Sequence, residues 1–220
     1  MSPSTATASA RRRSSQSSSV ARRRRVAARR RRGMLALVVL VAVVVGVVLA
    51  MPLAKKAVNE FGLPLRYSDV IRQQAAEKRL PPDLIAAVIY AETKFDARTS
   101  PAGALGLMQI EPQTAQFLAR RSGAKTFTTA DLAKPQVNIA YGSYYLRYLL
   151  DEYQGNHVLA LAAYNGGEAN VDRWLAQARA NGTGFGIGDI PFPETRDYVA
   201  RVLTAQKQYR QTYASQLGYG

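Results

Sequence analysis

Glu92 is the residue whose surroundings best suit chemistry. It follows Ile85, Val88 and Ile89 at the i, i+3, i+4, i+7 spacing of one helical face. An ionised carboxylate at the end of an apolar stripe is costly to bury, so its pKa should rise. A carboxyl still protonated near neutrality is what a general acid requires. The same spacing also fits a glutamate that rolls to the helix edge and pairs with Lys94 or Arg98. On spacing alone both readings stand.

Other reactive side chains offer less. With no cysteine, disulfides, thiolate metal sites and cysteine nucleophiles are excluded. His157, the only histidine, would need carboxylate partners to hold a metal, and no metal or cofactor is implied. The run Gly182-Thr183-Gly184-Phe185-Gly186-Ile187-Gly188 echoes a dinucleotide fingerprint, but it follows no strand and opens no helix, so it reads as a loop before Pro191, a flap at a cleft edge. Trp174, with Val171 and Leu175 on one helix, reads as core. Tyr141, Tyr144, Tyr145 and Tyr148 cluster at helical spacing, where some must face a core and others are free to stack on a ligand.

The elements that would position these residues are helices. Ser68 or Asp69 suits the start of a helix reaching Lys78, and Pro82 with Asp83 suits the first turn of the helix through Thr93. Further helices are predicted over Gln113–Arg121, Val137–Tyr153, Val158–Tyr164, Ala169–Ala180 and Thr195–Ala214, with a short turn near Ala130–Leu132 capped by Thr128 or Thr129. No stretch alternates as a strand would, and the expected fold class is all-α.

Four blocks then occur in one order: Ala91-Glu92-Thr93-Lys94-Phe95-Asp96 with Ser100 through Ile110; Asn138-Ile139, Gly142 and Tyr145-Leu146; Ala162 through Gly167; and Glu194-Thr195-Arg196-Asp197-Tyr198-Val199. Together they resemble the lytic transglycosylase family of SLT domains, across roughly residues 67–205. The resemblance implies a lysozyme-like helical fold and a peptidoglycan lyase. Such an enzyme uses one carboxyl, here Glu92, as acid and then base on the MurNAc–GlcNAc β-1,4 bond. It leaves 1,6-anhydroMurNAc ends without consuming water. By position the resemblance assigns substrate contacts to Ser100, Gly106, Met108, Gln109, Tyr164, Asn165 and Tyr198. Ser100 would meet a sugar N-acetyl group, and Tyr198 would reach toward the acid. Gly103 and Gly106 would let the backbone lie close to the glycan. Met108 also fits simple core packing. Thr93 stands where the family usually has Ser, Ala97 where Pro is common, and the loop from Asp96 to Ser100 is one residue short. Glu111 replaces an apolar residue. As a second carboxylate it keeps a lysozyme-type hydrolase open as an alternative, beside a cell-wall-binding module that does not cleave.

Charge divides the chain. Residues 1–56 hold 13 of the 30 basic residues and no acid, leaving 17 basic against 15 acidic residues in the remainder. Residues 1–33 are Ser, Ala, Thr and Arg with little apolar bulk, a composition that predicts a disordered, Arg-rich cytoplasmic tail. Met34 to Ala54 is 21 residues without a charge, close to the roughly 20 needed to cross a bilayer. A cleaved signal peptide has a shorter apolar region, so residues 34–54 read as a transmembrane signal anchor. The arginines keep the N-terminus cytoplasmic and send the chain beyond Lys56 to the outer side. Residues 55–66 would be a linker and 67–214 the catalytic domain. The expected partners are peptidoglycan glycan strands, the membrane through that helix, and anionic lipid at the arginine tail. Nucleic acid is disfavoured, because no aromatics interleave the arginines.

Overall fold

A computed structural model of the chain describes Val41, residues 44–49 and residues 62–220. The expected tail at 1–33, most of the expected anchor and residues 55–61 lie outside the described residues. Val41 and residues 44–49 are helical, and among the described residues no helix is long and apolar enough to cross a membrane. The chain from Asn59 onward forms its own compact unit, distinct from Met1–Val58.

That unit is helical throughout its core, as its periodicity predicts. In chain order it contains α1 (Ser68–Lys78), α2 (Pro82–Thr93), β1 (Arg98–Thr99), β2 (Leu105–Gly106), α3 (Pro112–Ser122), α4 (Pro135–Glu152), α5 (His157–Gly166), α6 (Glu168–Ala180) and α7 (Pro193–Thr212), with short 3-10 turns at Thr129–Ala133 and Ile187–Asp189. Four of the helices start on a proline, whose missing N–H falls where the helix has no acceptor for it. Thr128 caps the first 3-10 turn in a box with Asp131, as its sequence suggests. Asn156 caps α5 by accepting from the Val158 and Leu159 amides, with His157 as that helix's first residue.

Helix α2 is the centre of the unit. Leu84 through Ile89 are wholly buried, so this helix is apolar on every side. A helix of that kind must be surrounded, and each large aliphatic side chain it buries contributes about 1.5–3 kcal/mol. Its main partner is α7, which packs along its length, with α1 beside it. Asp83, in the first turn, is 1% exposed and would be costly alone. It accepts from Gln206 at 3.3 Å and pairs with Arg210 at 3.4 Å, so α7 grips the N-terminal end of α2.

Three sequence-based expectations are revised. The loop after α2 contains a small antiparallel hairpin, with Arg98 opposite Gly106 and Thr99 opposite Leu105; two-residue strands are too short to show alternation. The expected linker is part of the fold at its end: Leu63 is buried, and the carbonyls of Leu63 and Pro64 accept from Tyr213 and Tyr209 at 2.8 and 2.5 Å. The domain also runs past residue 214, because Leu217 is buried and the Arg210 guanidinium lies 3.9 Å from the Tyr219 ring centroid.

Candidate active site

Glu92 sits in the last turn of α2, between the buried core and the loop after it. Its carboxyl is raised from the ordinary value near 4.5 to about 7, chiefly because burial penalises the charge. Three groups pull the other way: the Tyr198 hydroxyl, Arg201 and Arg98. Asp96 is exposed beyond the helix end. Glu111 stands exposed just before α3, and its charge acts on Tyr145.

The end of α2 is built to present that carboxyl. Thr93 is buried, and its hydroxyl donates 2.8 Å to the Leu107 carbonyl, tying the helix terminus to the loop that returns through β2. Lys94 and Phe95 then both take left-handed backbone conformations, φ 53° and 64°, which turn the chain sharply off the helix. Phe95 is buried against Tyr209, with ring centroids 6.1 Å apart. This anchors a turn that non-glycine residues seldom adopt.

The returning loop is held by one side chain that the sequence pattern does not single out. Asn138, on α4, is wholly buried. Its Oδ1 accepts from the Met108 amide at 2.8 Å, and its Nδ2 donates to the carbonyls of Leu105 at 2.8 Å and Leu132 at 3.1 Å. Gly106 is where that clamp closes. With φ +75° it favours glycine, and a Cβ there would overlap the Asn138 amide and come within 2.7 Å of the Leu132 carbonyl. The need for glycine at 106 thus comes from contact within the protein. Gly103, φ +87°, has open space around it and is required by conformation alone.

The remaining candidates divide by placement. Met108 is wholly buried, packed against Gly142, where a Cβ would lie 2.8 Å from its own Cβ. Its side chain belongs to the core rather than to an open cleft wall. Its carbonyl nevertheless reaches the site, accepting from the Tyr164 hydroxyl at 2.9 Å. Gln109 has φ 47° and donates its amide to the carbonyls of Arg98 (2.9 Å) and Gly106 (2.7 Å), which stitches the hairpin together. Ser100 turns inward on its own loop, where its hydroxyl oxygen accepts from the Ala104 amide at 3.0 Å. Asn165 is exposed in the last turn of α5.

Tyr164 and Tyr198 do converge on Glu92. Each phenol is held far above its ordinary pKa, first by burial and next by the nearby carboxyl, so both stay neutral. Tyr198 is 2% exposed. Its hydroxyl acts directly on the Glu92 carboxyl and favours the charged form of that group. An aromatic row leads away from this point. The Tyr164 ring lies 5.2 Å from Tyr145, Tyr145 stacks on Tyr148 at 6.2 Å, and the Tyr148 hydroxyl donates 2.9 Å to Glu168. Tyr141 stands apart, stacked on Phe127 at 4.3 Å. Trp174 is core, as expected, with Phe185 and Phe192 against it.

Arg98 and Arg201, which sequence reasoning did not assign, also belong to the site. A charge three residues past Tyr198 on a helix shares its face, and that spacing was the available signal. Asn138 lies in one of the four ordered blocks, but a polar residue inside an apolar helix face does not announce which backbone it serves.

The arrangement has counterparts. The family profile of the Transglycosylase SLT domain matches residues 69–184, more than half of the chain. The soluble lytic murein transglycosylase of Escherichia coli is 34% identical over 151 residues, which cover 67% of this chain and 23% of that protein. The membrane-bound lytic murein transglycosylase C of Cronobacter sakazakii is 31% identical over 167 residues, covering 66% of this chain and 46% of that protein. Among solved structures, an inactive mutant of the lytic transglycosylase Slt from Pseudomonas aeruginosa superposes with a TM-score of 0.64 at 33% identity, covering 70% of this chain and 25% of that one. The chain thus spans between about a quarter and a half of these relatives. In sequence and in fold, the chain belongs to the SLT-domain transglycosylase family.

Proposed function

We propose that the chain is a peptidoglycan lytic transglycosylase with Glu92 as its sole catalytic acid and base. The observation that carries this reading is a carboxyl raised to about 7 at the end of a buried helix, beside Tyr198, Arg201 and Arg98. Protonated Glu92 gives its proton to the glycosidic oxygen of the MurNAc–GlcNAc bond as that bond breaks. The resulting carboxylate, which Arg98, Arg201 and the Tyr198 hydroxyl favour, then takes a proton from the C6 hydroxyl of the same MurNAc. The C6 oxygen closes onto C1, giving a 1,6-anhydro ring and a free GlcNAc hydroxyl, with no water consumed. Two-carboxylate glycosidases need their second group to act as nucleophile or to activate water; an internal hydroxyl as nucleophile makes it unnecessary. Related SLT proteins named lytic murein transglycosylases support the reaction class. The Pseudomonas relative, inactive after a single Glu-to-Gln change, supports the glutamate's role.

Ser100, Gln109, Asn165 and the Tyr164–Tyr145 row are assigned to the glycan-binding surface around that acid. Residues 34–54 are assigned to a membrane anchor with the N-terminus cytoplasmic and the catalytic unit outside, on the length of the uncharged run and the arginine block before it. A relative named as membrane-bound accords with this. Mass spectrometry of glycan fragments released by the protein and by Glu92→Gln tests the chemistry. Anhydro ends from the parent, absent with the variant, are expected. Reducing ends would overturn the lyase assignment.

A further inference from the structure

Arg98 and Arg201 approach Glu92 from different elements, β1 and α7. One Arg98 guanidinium nitrogen donates 2.9 Å to the Glu92 backbone carbonyl, which moors the group beside the acid. The Arg201 guanidinium lies 6.0 Å from the Tyr198 ring centroid. Both residues are exposed, and neither takes part in an ion pair among the described residues. The buried Tyr198 hydroxyl acts on the same carboxyl.

We propose that Arg98 and Arg201 clamp a carboxylate carried by the bound glycan strand, seating it beside Glu92. The proposal rests on the reading that Glu92 is the acid of a glycan-cleaving site. Two features of the geometry point to an anion. Guanidinium groups match carboxylates in shape and charge, and here two of them stand beside the acid in no ion pair among the described residues. Their position also works against the acid: both favour its ionised form, whereas proton donation needs the neutral one. An incoming carboxylate would offset that pull. The groups facing Glu92 are Tyr198 and Arg201 from α7, Arg98 from β1 and Tyr164 from α5, and the phenols remain neutral.

Peptidoglycan offers two sources of carboxylate: the peptide stems, and the lactyl group of MurNAc where a stem is missing. The test measures binding to the full chain in detergent, in a Glu92→Gln background, so that nothing is cleaved and the arginines cannot act through the acid. The ligands are soluble glycan oligomers with free stem carboxyls, with those carboxyls amidated, and with stems removed. Tighter binding of one of the two carboxylate-bearing ligands than of the amidated one is expected. Arg98→Gln or Arg201→Gln should weaken it roughly tenfold and leave the amidated oligomer unchanged, while Arg201→Lys, which keeps the charge, should retain most of the affinity. Preference for the stem-bearing or the stem-free oligomer identifies the carboxylate. Equal weakening on all three ligands, or none, would overturn the clamp. Failure of the parent chain to cleave any strand, with charge-selective binding intact, would instead remove the catalytic reading.

Discussion

Replacing Glu92 by Gln should stabilise the folded unit at alkaline pH and change little in acid. The carboxyl titrates near 4.5 when unfolded and at about 7 when folded. Because the folded value is the higher one, its contribution to stability is fully present below pH 4.5. It is lost as pH rises through about 7, where the folded state must ionise a buried group. A shift of this size is worth about 3 kcal/mol at roughly 1.4 kcal/mol per unit. Glutamine keeps the shape of the protonated acid and never ionises. Above pH 8 the variant should therefore melt about 6–12 °C higher than the parent, at about 2–4 °C per kcal/mol for a unit of this size. At pH 4 the two should coincide. Thermal or urea unfolding of both proteins at pH 4, 6, 8 and 9 gives the comparison directly. Parallel stability curves across that range would mean that Glu92 is solvated like a surface carboxylate, and the case for it as a neutral-pH acid would fall with them.

The remaining expectations concern the groups around it. Cleavage by the parent should decline above about pH 7 as Glu92 loses its proton, measured as kcat/KM against pH on glycan oligomers. Tyr198→Phe removes a hydroxyl that favours the Glu92 carboxylate, so stability near pH 5 should hold, while the alkaline limb of the rate profile moves to higher pH. A melting temperature that falls by many degrees would show that the hydroxyl is structural. Asn138→Ala strands the buried Met108 amide and opens a cavity, and should lower unfolding free energy by about 2–4 kcal/mol in urea titrations. Gly106→Ala should do at least comparable damage, since backbone conformation and space both forbid the methyl group; a variant as stable as the parent would refute the close packing.

The helical frame was legible because it depends on periodicity and punctuation: prolines at helix starts and the aliphatic run in α2 lie in plain order along the chain. Glu92 was legible for the same reason, as a carboxyl at the end of that run. What sequence did not convey was direction. Met108 and Tyr164 both sit in motif blocks, yet one turns its side chain into the core while the other turns its hydroxyl onto the first one's carbonyl. Asn138 was visible only as part of a motif, because the backbone it satisfies lies about thirty residues away.

The Asn138 amide has a further consequence for how the loop moves. Its oxygen and both hydrogens are spent on Met108, Leu105 and Leu132, so the loop cannot shift by a small step and keep partial bonding. It is either seated with all of them or released. The Met108 amide hydrogen, shielded from solvent in a segment that is neither helix nor long strand, should then exchange with deuterium as slowly as the helical amides of α2. Opening there would report on the whole substrate-facing loop at once, making one backbone proton a sensor of whether the surface beneath the glycan is rigid before the glycan arrives.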